Sequence, residues 1–110
     1  MKTTYDEQYI YQIEQNNIIS KTDIDGIITF ASDEFCKIFG YKKDELIGKS
    51  HNIVRHPDVK NEVFKKLWDT ILEKKTYKAT VKNLTKDNKT LYLNTTIFPI
   101  LDDSGQIIEF

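Results

Sequence analysis

The sequence has a single cysteine, Cys36, so the chain cannot form an intramolecular disulfide. Domains without disulfides are typical of reducing compartments. No apolar run approaches the roughly 20 residues that cross a bilayer. The N-terminal segment turns acidic at Asp6 and Glu7, where a signal peptide would need its apolar run. We therefore expect a cytoplasmic domain, either free or as the cytoplasmic part of a membrane-associated receptor.

An excess of one charge is also lacking, because 16 basic residues face 17 acidic ones. This balance gives no electrostatic reason to expect a nucleic-acid partner. Paired carboxylates, a nucleophile–base spacing and a glycine-rich phosphate loop are not found either. His51 and His56 are five residues apart with no third ligand at a suitable spacing, which argues against a metal site. The sequence predicts a domain that is not an enzyme and holds no metal.

The 110 residues suffice for one small core. Residues 1–16 are predicted to form a flanking segment, in which Tyr5, Tyr9, Ile10 and Ile13 recur at helical spacing. The apolar stripe of this helix lies either on the domain's own sheet or on a second copy of the chain, and the sequence leaves both open. Residues 17–110 are predicted to form the domain proper.

The rest of the pattern alternates strands and helices. Asp25 and Gly26 join two β-branched runs, which predicts a two-residue hairpin turn with positive φ at both positions. Ser32 is predicted to cap a short helix, which ends at Gly40. Cys36 lies in this helix and is predicted to be a buried small hydrophobic residue. Further predicted elements are a short helix at 43–47, a longer amphipathic helix at 59–74, and strands at 76–85, 90–101 and 106–110, the last cut short at the final residue. The sequence thus predicts an α+β fold, in which a five-stranded antiparallel sheet carries the helices on one face.

One stretch stands out in composition. Residues 51–58, His-Asn-Ile-Val-Arg-His-Pro-Asp, place five polar or titratable side chains beside two aliphatic ones. Pro57 interrupts any helix here, so the stretch is predicted to be a loop or a broken turn. A short loop with this composition is predicted to be the wall of a site.

A second polar position is predicted inside the sheet. Strand alternation puts Tyr77, Ala79, Val81 and Asn83 on one face, and that face is otherwise apolar. A buried amide needs a partner. The partner of Asn83 is either the edge of a ligand ring or loop backbone and water, and the sequence leaves both open.

These residues carry a resemblance to a known family. Asp25 to Ser32, Phe39-Gly40-Tyr41, Glu45 to Lys49 and the three closing strands resemble a PAS domain. The stretch at 51–58, with Phe64, Trp68, Val81-Lys82-Asn83 and Asn94, is similar to the flavin-binding PAS domain of aerotaxis receptors of the Aer type. The resemblance implies an input domain that binds FAD non-covalently and passes its redox state to an output module. That module would be a chemoreceptor signalling domain, a histidine kinase or a cyclic-dinucleotide enzyme.

The resemblance also implies a set of cofactor-binding residues: Ser32, His51, Arg55, His56, Asp58, Trp68, Tyr77 and Asn83. The chain departs from the family at two of them, since Ser32 and Tyr77 stand where an asparagine and a tryptophan are usual. Other interpretations remain possible for some of these residues. Asp58 could cap the following helix, and Arg55 could form a surface ion pair. Trp68 could belong to the core, together with Phe39 and Tyr41. The alternatives for the whole domain are a sensor of haem or of a metabolite, and a ligand-free module that dimerises through the N-terminal helix.

Overall fold

The computed structural model describes residues 4–110 and combines helices with antiparallel strands. In chain order the elements are α1 (Tyr5–Gln15), β1 (Ser20–Thr22), β2 (Ile28–Ala31), α2 (Asp33–Phe39), α3 (Lys43–Leu46), a 3₁₀ helix (His51–Val54), α4 (Asn61–Leu72), β3 (Tyr77–Leu84), β4 (Thr90–Ile97), β5 (Ile100–Leu101) and β6 (Ile107–Glu109). β1 pairs with β2, β3 with β4, and β5 with β6. The predicted α+β class is confirmed. The strand predicted at 90–101 is divided into β4 and β5 around Pro99, which has no N–H to give to a ladder.

The first hairpin is closed by an aspartate side chain. Asp23 Oδ1 accepts hydrogen bonds from the N–H groups of Asp25 at 2.9 Å and Ile27 at 3.0 Å. Gly26 takes the positive φ, +80°, and Asp25 does not. The prediction of positive φ at both residues is therefore wrong. The Asp23 carboxylate offers the turn an alternative set of hydrogen bonds, which a two-residue primed turn does not use.

Ser32 ties three parts of the chain together. Its hydroxyl caps α2 by accepting from Phe35 N–H at 3.1 Å, accepts from Ile19 N–H at 3.0 Å, and donates to Asn17 C=O at 2.5 Å. The side chain is fully buried. The predicted cap is confirmed, and it also anchors the chain segment that enters β1.

The core lies where β2, α2, α3 and the 3₁₀ helix meet. Its buried members are Ile28, Ala31, Phe35, Phe39, Leu46 and Val54. Cys36 and Tyr41 pack against this cluster while partly exposed, so Cys36 is less buried than predicted. Desolvation raises the pKa of the Cys36 thiol.

α1 is a well-capped helix that buries none of its residues. Thr4 and Glu7 form a reciprocal capping box at its start. The side chains of Tyr5 and Tyr9 are 82% and 69% exposed, so the apolar stripe does not lie on the domain's own sheet. The helix contacts the domain through its last turn, where Glu14 forms an ion pair with Lys21 of β1. Within the described residues, no helix is both long and apolar enough to cross a membrane.

Candidate functional site

A cavity of about 640 Å³ lies between the inner face of the strands, the 3₁₀ helix and α4. This volume falls within the range of small-molecule pockets. The lining is mostly apolar, and its aromatic members are Phe35, Phe39, Phe64, Trp68, Phe98 and Phe110. Aromatic walls of this kind suit a flat ring system.

The predicted site stretch forms one wall of this cavity. Ser50 caps the 3₁₀ helix, which ends before Arg55. Arg55 then forms an isolated antiparallel bridge with Asn83 of β3. The stretch, predicted to be a loop or a broken turn, is a short 3₁₀ helix followed by an extended segment, and the bridge joins this segment to β3.

His51 faces the cavity from the 3₁₀ helix. Its Nε2 lies 2.9 Å from the Ser20 hydroxyl of β1, and its ring meets Phe35 edge-on with 6.0 Å between the ring centroids. Desolvation by these surroundings lowers the pKa of the imidazole below its usual 6.5. The site therefore holds His51 as a neutral side chain near pH 7.

This lowered pKa makes stability depend on pH in one direction. The unfolded chain takes up a proton on His51 near pH 6.5, and the folded chain does so only at lower pH. The unfolded state thus binds more protons as the pH falls, so the contribution of His51 to stability is complete above pH 6.5 and is lost below it. We expect the free energy of unfolding in urea to fall more steeply between about pH 7.5 and about pH 5.5 in the unaltered protein than in His51→Gln. Parallel pH profiles for the two proteins would contradict this assignment.

Arg55 places a cation in the cavity wall. Its guanidinium carbon lies 3.8 Å from the centroid of the Phe64 ring, and Nη2 donates to Asn61 Oδ1 at 2.9 Å and Val59 C=O at 3.2 Å. These contacts fix its direction, and none of the described carboxylates pairs with it. The alternative of a surface ion pair for Arg55 is therefore wrong. A fixed guanidinium of this kind can bind an anionic ligand group.

Asn83 lies on the inner face of β3, with 8% of its surface exposed. Tyr77, Ala79 and Val81 share this partly buried face, while Lys78 and Thr80 are exposed, as the strand alternation predicts. The Asn83 Nδ2 group donates to Val81 C=O at 3.2 Å. Its Oδ1 accepts no hydrogen bond from any residue between 4 and 110. The amide thus keeps an acceptor available at the cavity wall.

Four of the eight residues named from the resemblance line the cavity: His51, Arg55, Trp68 and Asn83. Trp68 meets Phe110 edge-on at 5.5 Å between ring centroids. Its six-membered ring also packs beside Gly26, where an added Cβ would lie in van der Waals contact with it at 3.4 Å. Trp68 is therefore both a lining residue and a packing element.

The other four, Ser32, His56, Asp58 and Tyr77, are not part of the lining. His56 is buried beside β4, with Nε2 3.1 Å from Thr90 Oγ1 and Nδ1 accepting from Asp58 N–H at 3.1 Å. The Asp58 carboxylate receives a hydrogen bond from Lys82 at 3.0 Å, which lowers its pKa. Asp58 does not cap α4, because Lys60 occupies that position. Tyr77 lies at the far end of the inner face, opposite Ile97.

Ser20 and Phe110 are among the lining residues that were not predicted. Ser20 contacts His51 from β1, and the alternation of β1 from Thr22 was the signal that would have found it. No local pattern marks Phe110. Asn94, which belongs to the residues of the resemblance, also borders the cavity, but its side chain is exposed and accepts from Thr80 Oγ1 at 2.9 Å. Among the described residues, no group of three potential metal ligands comes together.

Comparison with known families decides the identity of this domain. The family model described as the PAS fold matches residues 28–110. The chain belongs to the PAS family. This PAS domain is 32% identical over 88 residues to the aerotaxis receptor of Escherichia coli (strain K12), a match that covers 80% of this chain and 17% of the receptor.

Two further similarities agree with this assignment. Over 100 residues, 90% of the chain, the PAS domain is 24% identical to a nitrogen fixation regulatory protein of Klebsiella pneumoniae and covers 20% of it. A light-oxygen-voltage domain studied with a flavin analogue superimposes with a TM-score of 0.81 at 17% identity, which covers 96% of this chain and 79% of that one. The chain thus spans about a fifth of the length of these curated relatives, while nearly all of it shares the PAS fold.

Proposed function

We propose that this PAS domain is a signal-transduction input domain that holds FAD non-covalently in its cavity. Through the redox state of the flavin it would sense oxygen or redox conditions. The observation that carries this proposal is the inward-facing amide of Asn83, with a free acceptor oxygen, in the wall of an aromatic cavity. Similarity to an aerotaxis receptor supports it independently.

The residues of the cavity fit a flavin. Trp68 and the phenylalanines offer apolar surfaces to the ring, and the Asn83 amide can both donate to and accept from a ring edge. Arg55, held in place over Phe64, offers a cation to the phosphates of the nucleotide. The chemistry that the flavin supplies when bound is the uptake and release of electrons and protons.

Asn83 connects this chemistry to the protein. Its amide must change hydrogen-bonding role when the protonation of a ring edge changes, because a donor and an acceptor have opposite requirements. Its backbone is paired with Arg55, so a shift of Asn83 moves both β3 and the loop wall. We propose that these two arrangements form the signal, which passes to a chemoreceptor domain, a histidine kinase or a cyclic-dinucleotide enzyme.

The test is an absorbance spectrum of freshly purified protein, followed by extraction and mass analysis of the released compound. We expect the two bands of an oxidised flavin and FAD in the extract, and bleaching of both bands on reduction. A Soret band would overturn the flavin proposal in favour of haem. A colourless protein that binds no added FAD in a titration would overturn it in favour of another ligand or none.

We also propose that α1 pairs with α1 of a second copy. The helix has 11 residues, and isolated helices of this length are marginal in water. Its stripe of Tyr5, Tyr9, Ile10 and Ile13 is exposed by more than half at each position, so it has no partner within the described chain.

Light scattering tests this pairing. The unaltered protein is expected to be a dimer, and the variant with Tyr9→Glu and Ile13→Glu a monomer, because two charges would enter an apolar interface. Gln8→Glu, which adds a charge on the polar face of the same helix and leaves the capping box intact, serves as the control and should remain dimeric. Equal masses for the unaltered protein and the double variant would contradict the pairing.

A further inference from the structure

His56 is a buried titratable side chain outside the lining of the cavity, with 8% of its surface exposed. Its Nδ1 accepts a hydrogen bond from Asp58 N–H at 3.1 Å, and its Nε2 lies 3.1 Å from Thr90 Oγ1 of β4. A backbone N–H can only donate, so Nδ1 carries no proton and the ring proton of the neutral imidazole is on Nε2. The folded loop therefore requires His56 in its neutral form and in this one tautomer.

The hydrogen bond to Nδ1 belongs to the turn that holds Arg55 in place. Val59 N–H donates to His56 C=O at 3.1 Å, which closes the turn over residues 56–59. The C=O group of Val59 in its turn accepts from Nη2 of Arg55 at 3.2 Å. The other acceptor described for this guanidinium is Asn61 Oδ1, at 2.9 Å. One of the two bonds that fix the cation at the cavity wall therefore depends on the turn that His56 closes.

A proton on Nδ1 is incompatible with this turn. The new N–H would point at the N–H of Asp58, and two donors cannot share one hydrogen bond. A better acceptor is close, because Asp58 Oδ2 lies 3.8 Å from Nδ1. The hydrogen bond from Lys82 lowers the pKa of the Asp58 carboxyl, so this group is charged over the ordinary range of histidine titration, about pH 5–8. A charge-assisted bond to the carboxylate is stronger than the bond it replaces, so protonation favours a second arrangement of the turn.

The surroundings of the ring direct it towards Asp58. Arg55 precedes the histidine in the loop, but its guanidinium is directed to the cavity wall. β3 contributes Lys82, whose ammonium group pairs with the Asp58 carboxylate, and β4 contributes Thr90, which carries no charge. Within residues 4–110, no other carboxylate lies within 4 Å of a nitrogen of this ring. The Asp58 carboxylate is therefore the partner that a protonated His56 can reach.

We propose that His56 is a protonation switch that positions Arg55 at the wall of the cavity. With the neutral ring, the turn is closed and its Val59 carbonyl holds the guanidinium. With the protonated ring, Nδ1–H bonds to the Asp58 carboxylate, the turn opens and the guanidinium loses one of its two acceptors. The cavity thus presents a fixed cation near neutral pH and a looser one in acid. His56 is a positioning residue, because it acts through Arg55 and does not itself enter the cavity.

NMR spectroscopy of the ligand-free protein tests the switch. We expect the nitrogen chemical shifts of the His56 ring near neutral pH to show a proton on Nε2 alone. As the ring takes up a second proton between about pH 8 and about pH 5, the protection factor of Asp58 N–H, which corrects for the intrinsic effect of pH on exchange, should fall on the order of tenfold. The side-chain proton resonances of Arg55, which lie in the ring current of Phe64, should move with the same midpoint.

His56→Asn is the matched variant. The side-chain oxygen of asparagine accepts from the N–H group two residues later, as Nδ1 does here, and an amide does not titrate in this range. We therefore expect a closed turn throughout the range in this variant, with a constant protection factor at Asp58 and constant Arg55 resonances. A variant that only removed a packing contact would not restore the neutral-pH signals of Arg55 in acid.

Several results would overturn the switch. One is a neutral His56 ring that carries its proton on Nδ1, a measurement that needs no variant. Another is a ring that stays neutral across the range, or Arg55 resonances that stay constant while the ring titrates. An unchanged pH response in His56→Asn would assign the response to another group. The measurements use ligand-free protein, so a failure of the switch and a failure of the flavin proposal are distinguishable.

Discussion

Replacing Asn83 with leucine is expected to weaken FAD binding by about 10- to 100-fold, which corresponds to about 1.5–3 kcal/mol for hydrogen bonds lost at a buried ligand. Leucine keeps a similar shape and removes both the donor and the free acceptor. The fold should survive, because the only hydrogen bond of this side chain to the described chain goes to Val81 of the same strand. Titration of the variant with FAD, followed by flavin fluorescence, measures the change in Kd.

Asn94→Leu provides the matched control on the neighbouring strand. Both asparagines are quoted in the resemblance to aerotaxis receptors, but the Asn94 side chain is exposed and bonds to Thr80. We therefore expect Asn94→Leu to keep the Kd of the unaltered protein within about twofold. An unchanged Kd in Asn83→Leu, or equal losses in both variants, would contradict the role of the Asn83 amide.

Replacing Ser32 with alanine is expected to lower the free energy of unfolding by about 3 kcal/mol. Loss of the helix cap accounts for about 1 kcal/mol. Ile19 N–H and Asn17 C=O, which the buried hydroxyl also satisfies, add about 1–3 kcal/mol when they lose their partner. Urea unfolding of the two proteins measures the difference.

Ser50→Ala is the control for this change. Ser50 also caps a helix, but it is exposed and its hydroxyl receives one hydrogen bond, from Asn52 N–H at 3.2 Å. Its loss should cost about 0.5 kcal/mol. The resemblance named Ser32 as a flavin contact, whereas we expect the folded Ser32→Ala protein to bind FAD with unchanged affinity. A loss of affinity with unchanged stability would reverse this assignment.

Residues 51–58 show which structural features a local sequence pattern can predict and which it cannot. Its composition and Pro57 predict a loop or a broken turn in the wall of a site, and the structure has a short 3₁₀ helix and an extended segment beside the cavity. The pattern does not say which side chains enter the cavity. His51 and Arg55 do, while His56 bonds to Thr90, which lies 34 positions further along the chain. The direction of each side chain depends on a partner that sequence neighbours do not reveal.

The conformation of the first hairpin turn also depends on a side chain outside the two turn residues. Asp25 and Gly26 match a frequent two-residue turn, and only the presence of Asp23 two positions earlier changes the geometry. Gly26 keeps its positive φ because a glycine tolerates it, and Asp25 is released from that requirement. A turn is thus decided by the competition between side-chain and backbone acceptors.

The sequence by itself determined the α+β class, the cap at Ser32, the apolar stripes of α1 and α4, and the inward position of Asn83. Each of these depends on periodicity or on hydrogen bonds between close neighbours in the chain. Tertiary structure alone decided that His51 meets Ser20, that Arg55 pairs with Asn83, and that Phe110 packs on Trp68. These features join segments far apart in sequence, and their free energy comes from burial and pairing that exist only once the strands have come together.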